Sequence, residues 1–130
     1  MRFSSSIIRG FLFFLASRGA KAIPLKVSGA WHSELIKGAQ EKFSDFMESI
    51  HFSTPDSPLL FNVTADYAID TDEIKSIMVR QLCNPVKWYD LVCRLMAENV
   101  EVFVEVGPGK VLTGLIKKIL PKDYPCKIYT

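Results

Sequence analysis

The sequence is short of several things, and each shortage removes a class of function. It has three cysteines, Cys83, Cys93 and Cys126. They are an odd number without CxxC spacing, so neither a disulfide framework nor a zinc site is indicated, and reduced thiols are expected. Its most apolar run, FLFFLA at residues 11–16, falls far below the ~20 residues of a membrane-spanning helix. Neither sign of charge dominates: the net charge is +2, and no basic run comes with the interleaved aromatics that single-stranded nucleic acid would want. Repeats and low-complexity tracts are absent as well.

What is present is an ordinary globular composition. A hydrophobic fraction of 48% over 130 residues lets a chain of this size bury roughly two-thirds of its unfolded surface as one domain. The first stretch is peculiar. It is basic and serine-rich, carrying Arg2, Arg9, Arg18 and Lys21, and no carboxylate occurs before Glu34. Three readings fit it: a mitochondrial transit peptide, a secretory signal that Arg9 interrupts, or a gene end whose apolar face at residues 7–16 belongs against a missing partner.

Farther along, helix and strand signals alternate. Residues 22–28, AIPLKVS, read as a short strand, and Gly29 and Ala30 turn the chain. From Ser33 to about residue 50, Leu35, Ile36, Ala39, Phe43, Phe46, Met47 and Ile50 recur at helical spacing. STPDSP at 53–58 is a loop. LLFNVT at 59–64 reads as a buried strand. Asp70, Thr71 and Asp72 suit a helix N-terminus, and Asn84-Pro85 ends that helix. A further helix covers about 86–99, the run VEVFVEV predicts a strand buried on both faces, KVLTGLIKKIL is helical again, and CKIYT closes with a strand. The pattern argues for an α/β fold, a mostly parallel sheet with covering helices, yet supplies too few strands to complete one.

Among the motifs, GPGKVLTG joins a strand to a helix but fits neither a P-loop nor GxGxxG, since Leu112 stands where a glycine would be needed. Two glycines flanking Pro108 suit a sharp turn. Phe43, Phe46, Trp88 and Tyr89 read as core by spacing. His32, in VSGAWHSELI, sits where a strand-like stretch becomes helical. At a helix start it would face the positive end of the helix dipole, which keeps an imidazole neutral, as a general base requires. A base also needs one ring nitrogen tied to an acceptor. Residue chemistry alone leaves open whether His32 is a base or merely packs there.

GAKAIPLKVSGAWHSELIKGAQEKF, FNVTA, VRQLCNPVKW and FVEVGPGKVLTGLIKKI together resemble, in order and spacing, the C-terminal half of malonyl-CoA:acyl-carrier-protein transacylases. The resemblance begins near residue 18, leaving 1–17 unmatched and 18–130 as the C-terminal part of an acyltransferase domain. It implies a partial α/β-hydrolase-like fold and a ping-pong acyl transfer through a serine, with malonyl-CoA and phosphopantetheinylated acyl carrier protein as substrates and partners and no further cofactor or metal. His32 matches the family's general base. Gln81 matches the position whose backbone carbonyl holds the other ring nitrogen. Trp31 matches a wall of the acyl pocket, where its bulk favours a small group such as malonyl, and Val111 is expected to add another wall. A cytoplasmic location follows, unless the leader is a transit peptide.

The departures from the family matter as much. No serine has the Gly-His-Ser-x-Gly elbow spacing. The Gly-Gln-Gly-Ser-Gln motif and the arginine that clamps the malonyl carboxylate are missing too. The chain is therefore expected to be inactive by itself. The alternatives are a non-catalytic carrier-protein-binding module and half of a split enzyme, completed by a second chain that bears the serine.

Overall fold

The structure is a computed structural model and describes residues 12–21 and 29–130. The strand expected at 22–28 lies outside the described residues, as does the segment 1–11. Residues 12–17 are helical and close on Gly19, whose φ of 76° is one that glycine adopts without strain. Their aromatic rings stand in solvent, Phe13 at 77% exposure.

The single helix expected from Ser33 is a 3₁₀ turn, Glu34–Ile36, that runs into α1, Lys37–Glu48. Only part of its apolar face finds cover. Met47 is buried, whereas Leu35 and Phe46 are exposed. Helix α2, Thr71–Gln81, packs against α1. Its start is fixed as the composition of that turn suggests: the Asp70 carboxylate accepts from the backbone N–H groups of Asp72 and Glu73 at 3.1 and 2.8 Å. Helix α3, Trp88–Ala97, ends on Asn99 at φ 57°. There the Val100 N–H donates to the Leu95 carbonyl and the Asn99 N–H to that of Met96, the paired bonds of a Schellman stop. Helix α4, Val111–Ile119, follows the glycine turn.

LLFNVT is the main correction. Only Leu59–Phe61 form a strand, β1, and it pairs antiparallel with β2, Asp66–Ala68. The reason is turn chemistry between them. Ala65 takes a φ of 56° and donates its N–H to the Phe61 carbonyl at 2.8 Å, which folds the chain straight back. Leu59 is left exposed.

The parallel element is the pair β3, Val102–Val104, and β4, Lys127–Tyr129, in register Phe103 to Ile128. Phe103 turns inward and joins Leu91, Val92 and Ile116, with Trp88, Leu95 and Ile128 packed around them. A second cluster gathers Val63, Ala68, Ile74 and Ile77 beneath the hairpin. The 101–106 run was expected to be buried on both faces. It is buried on one: Val102, Val104 and Val106 are 51%, 62% and 93% exposed. Helices α3 and α4 cover the Phe103 face, and nothing among the described residues covers the other. The fold is thus a partial α/β domain with helices on one side of its parallel strands.

Candidate active site

Helix α2 prepares the site by the way it stops. The last carbonyls of any helix lack intrahelical donors and need partners. Here the Arg80 carbonyl is claimed by the N–H groups of Leu82, Cys83 and Asn84 and by the Asn84 side-chain amide at 2.7 Å. The carbonyls of Gln81 and Leu82 remain, and a single residue takes both. The His32 backbone N–H donates to the Leu82 oxygen at 2.9 Å, and His32 Nδ1 lies 2.8 Å from the Gln81 oxygen. A carbonyl can only accept, so Nδ1 carries the hydrogen and Nε2 of the neutral ring presents a lone pair.

The electrostatics differ from the sequence expectation. His32 does not sit at a helix N-terminus. It occupies a turn with φ 59°, ahead of the 3₁₀ segment, and its ring abuts the C-terminal end of α2. That end carries the negative pole of the helix dipole, where a cation is favoured.

A left-handed φ at a residue other than glycine costs about 1–2 kcal/mol, and both hydrogen bonds to α2 hold the turn in place. Ser33 adds a third, from Oγ to the Ala30 carbonyl at 2.6 Å. Trp31 folds its indole back over Gly29, so closely that a Cβ there would lie 3.1 Å from Nε1.

Beside the ring opens a cleft of about 260 Å³, lined by Trp31, His32, Phe43, Met78, Gln81 and Leu82. The structure thus brings Trp31, His32 and Gln81 together. It does not bring Val111 to them: Val111 is 70% exposed on the first turn of α4 and takes no part in the lining. Phe43 and Met78 were legible only as helix-face residues. Leu82 could have been suspected, because a helix that ends before Asn84-Pro85 must offer free carbonyls. Among the described residues, none that lines the cleft carries a fixed positive charge. Among the described residues, no group of three or more His, Cys, Asp or Glu side chains is placed to hold a metal ion.

One further carboxylate shapes the region of the glycine turn. Glu105, just past β3, reaches across Gly107-Pro108-Gly109 and accepts from the N–H groups of Leu112 and Thr113 at 3.1 and 2.8 Å. The Thr113 N–H, before the others, holds the Glu105 carboxyl below its ordinary range.

No protein-family model matches the chain. Individual relatives do. The malonyl CoA-acyl carrier protein transacylase of Bacillus subtilis is 45% identical over 102 residues, which is 78% of this chain and 32% of that protein. Its counterpart in Staphylococcus aureus is 44% identical over 104 residues, 79% and 34% of the two chains. Among solved structures, the malonyltransferase from Streptococcus pneumoniae superposes with a TM-score of 0.83 at 31% identity, over 96% of this chain and 40% of its own. A malonyl-transacylase solved in complex with its type II acyl-carrier protein gives 0.83 at 33% identity, over 96% and 39%. The chain spans about a third of the length of these curated relatives. In sequence and in fold it belongs with the malonyl CoA-acyl carrier protein transacylases, as a partial acyltransferase domain corresponding to their C-terminal part.

Proposed function

We propose that this chain supplies the general base of a malonyl transfer from coenzyme A to acyl carrier protein, and that a serine from outside residues 1–130 is the nucleophile. The observation that carries the reading is the seat of His32: Nδ1 tied to the Gln81 oxygen at 2.8 Å, with no hydrogen-bond partner for Nε2 among the described residues. In the first half-reaction Nε2 takes the serine proton as the hydroxyl attacks the malonyl thioester, and returns it to the departing coenzyme A thiolate. In the second, Nε2 takes the proton of the phosphopantetheine thiol as that sulfur attacks the acyl-serine, and returns it to the serine oxygen.

Trp31, Phe43 and Met78 line an apolar cleft beside the ring. Among the described residues a malonyl carboxylate finds no guanidinium or ammonium there, and its clamp is expected to come with the nucleophile. The chain alone should not turn over. Loss of nucleophile and oxyanion donors removes several powers of ten in rate, and the two do not act independently. The bacterial relatives favour a cytoplasmic setting.

The test is a fusion that places the amino-terminal portion of the Bacillus subtilis relative ahead of the full chain. Labelled malonyl should pass to carrier protein in the fusion, and His32→Ala should lower the rate by at least 100-fold. Transfer that survives His32→Ala would rule out the assignment.

A further inference from the structure

The short helix at residues 12–17 has no place in the core or the cleft. Phe13 and Phe14 are 77% and 51% exposed, and among the described residues neither ring joins either hydrophobic cluster. Single apolar side chains on a surface are ordinary, whereas two adjacent aromatic rings without cover mark a place of interaction.

The charge around them is one-sided. Residues 1–33 hold Arg2, Arg9, Arg18, Lys21 and Lys26 and no carboxylate. Residues 34–130 hold the other eleven Lys and Arg against all fourteen Asp and Glu, a balance of −3. A basic end on a slightly acidic body suits a polyanionic surface, which attracts the one and repels the other. Arg18 shows how charge and ring share such a boundary. Its guanidinium lies 4.9 Å from the centroid of the Phe14 ring, a stacking that eases a cation toward apolar surroundings.

The backbone gives a third observation. A helix end that leaves water needs donors for its last carbonyls, and here the chain supplies its own. Ser17 Oγ donates to the Phe14 oxygen at 2.8 Å. The N–H groups of Arg18 and Ala20 donate to the Leu15 oxygen, and the Gly19 N–H to that of Ala16. The turn can thus enter a region poor in water without stranding these acceptors.

We propose that this helix docks on the headgroup surface of an anionic lipid bilayer. Phe13 and Phe14 enter the boundary of the acyl chains, and Arg18 and Lys21, both exposed, meet lipid phosphates. The helix lies on the membrane and does not span it, since no helix among the described residues is long and apolar enough to cross. The docking does not depend on the transfer chemistry. A second copy of the chain is a weaker occupant, because two such ends bring like charges together. A nucleic-acid strand would answer the cations, but it favours stacking rings set along a groove, and these two rings follow one another on a convex helix.

Vesicle flotation of the full chain tests the proposal. Binding to vesicles of phosphatidylglycerol and phosphatidylcholine in equal parts should exceed binding to phosphatidylcholine alone about 10-fold or more. It should fall when salt is raised to about 1 M. The double substitution Phe13→Ser, Phe14→Ser should weaken binding about 10-fold or more, and Arg18→Glu about fivefold or more. Urea midpoints should not move, because all three side chains are exposed. Lys117→Glu, on α4, makes the same change of charge and should leave binding nearly intact. Equal binding to both kinds of vesicle, or binding to neither, would overturn the proposal. So would an equal loss in Lys117→Glu, which would make net charge rather than this helix the cause. Self-association of the chain that the double substitution abolishes would assign the rings to a second copy. Tighter binding of a labelled polyuridine strand than of the anionic vesicles would assign them to nucleic acid. Either result displaces the lipid.

Discussion

His32 donates from Nδ1 to the main-chain oxygen of Gln81 across 2.8 Å, a contact between residues far apart in sequence that fixes which ring nitrogen is bare. Nitrogen-15 spectra of the histidine side chains in the intact chain should show a protonated, pyrrole-like Nδ1 and a bare Nε2 for His32 when the ring is neutral. The opposite tautomer would remove the geometric ground for a base at this position.

Asp70→Ala should lower stability by about 1 kcal/mol, read as a shift of the urea midpoint without a change in slope. Its carboxylate satisfies two N–H groups at the start of α2, and α2 is the helix whose far end seats His32. An unchanged midpoint would mean that water replaces the cap at no cost.

Ile77 is 1% exposed and sits at the centre of the cluster beneath the hairpin. Ile77→Ala should cost about 2–5 kcal/mol, the transfer term plus a cavity. That is a large share of what a small domain commands, so calorimetry should record a markedly lower Tm.

The end of α3 offers a paired test. Asn99 holds φ 57° at the Schellman stop. Asn99→Ala should destabilise by about 1 kcal/mol, because a Cβ without a local polar partner is strained there. Asn99→Gly should be neutral or slightly stabilising. Equal losses in both variants would show that the side chain of Asn99, not its backbone angle, is what matters.

Glu105 predicts an acid-side dependence. Its carboxyl is held below the ordinary range by the Thr113 N–H and then by its neighbours at the start of α4. A group with a depressed folded-state value stabilises fully above its unfolded value, about 4.3 for glutamate. The benefit fades as pH falls from there through the folded value. Urea midpoints of the natural chain should therefore drop more steeply below about pH 4.3 than those of Glu105→Gln, and the two should run parallel at neutral pH. Parallel curves throughout would remove Glu105 as the anchor of the glycine turn.

Helical periodicity was legible because it is local. The α1 to α4 segments, the Asp70 start and the loop at 53–58 all follow from residue spacing and turn composition. LLFNVT misled because its apolar run hides a reversal whose signal is one left-handed alanine, Ala65. VEVFVEV reads as doubly buried because its composition suits both faces, but a sequence cannot say whether the cover for each face is present. Around His32, the residue was visible and its surroundings were not. The ring's partner lies 49 positions away, and the dipole beside it has the sign opposite to that suggested by the adjacent helix start. Only family resemblance pointed to Gln81. Val111, singled out in the same way, stands apart from the cleft.

The acceptor that orients His32 is a peptide oxygen, and every amino acid at position 81 carries one. Amino-acid substitution at Gln81 can therefore tilt this atom but never delete it, unlike a carboxylate partner, which a single substitution erases. The orientation of the imidazole is thus insured against side-chain drift and vulnerable to whatever unwinds the last turn of α2, such as a proline or glycine within residues 78–82. Sequence variants that spare position 32 yet lose its alignment should accumulate there.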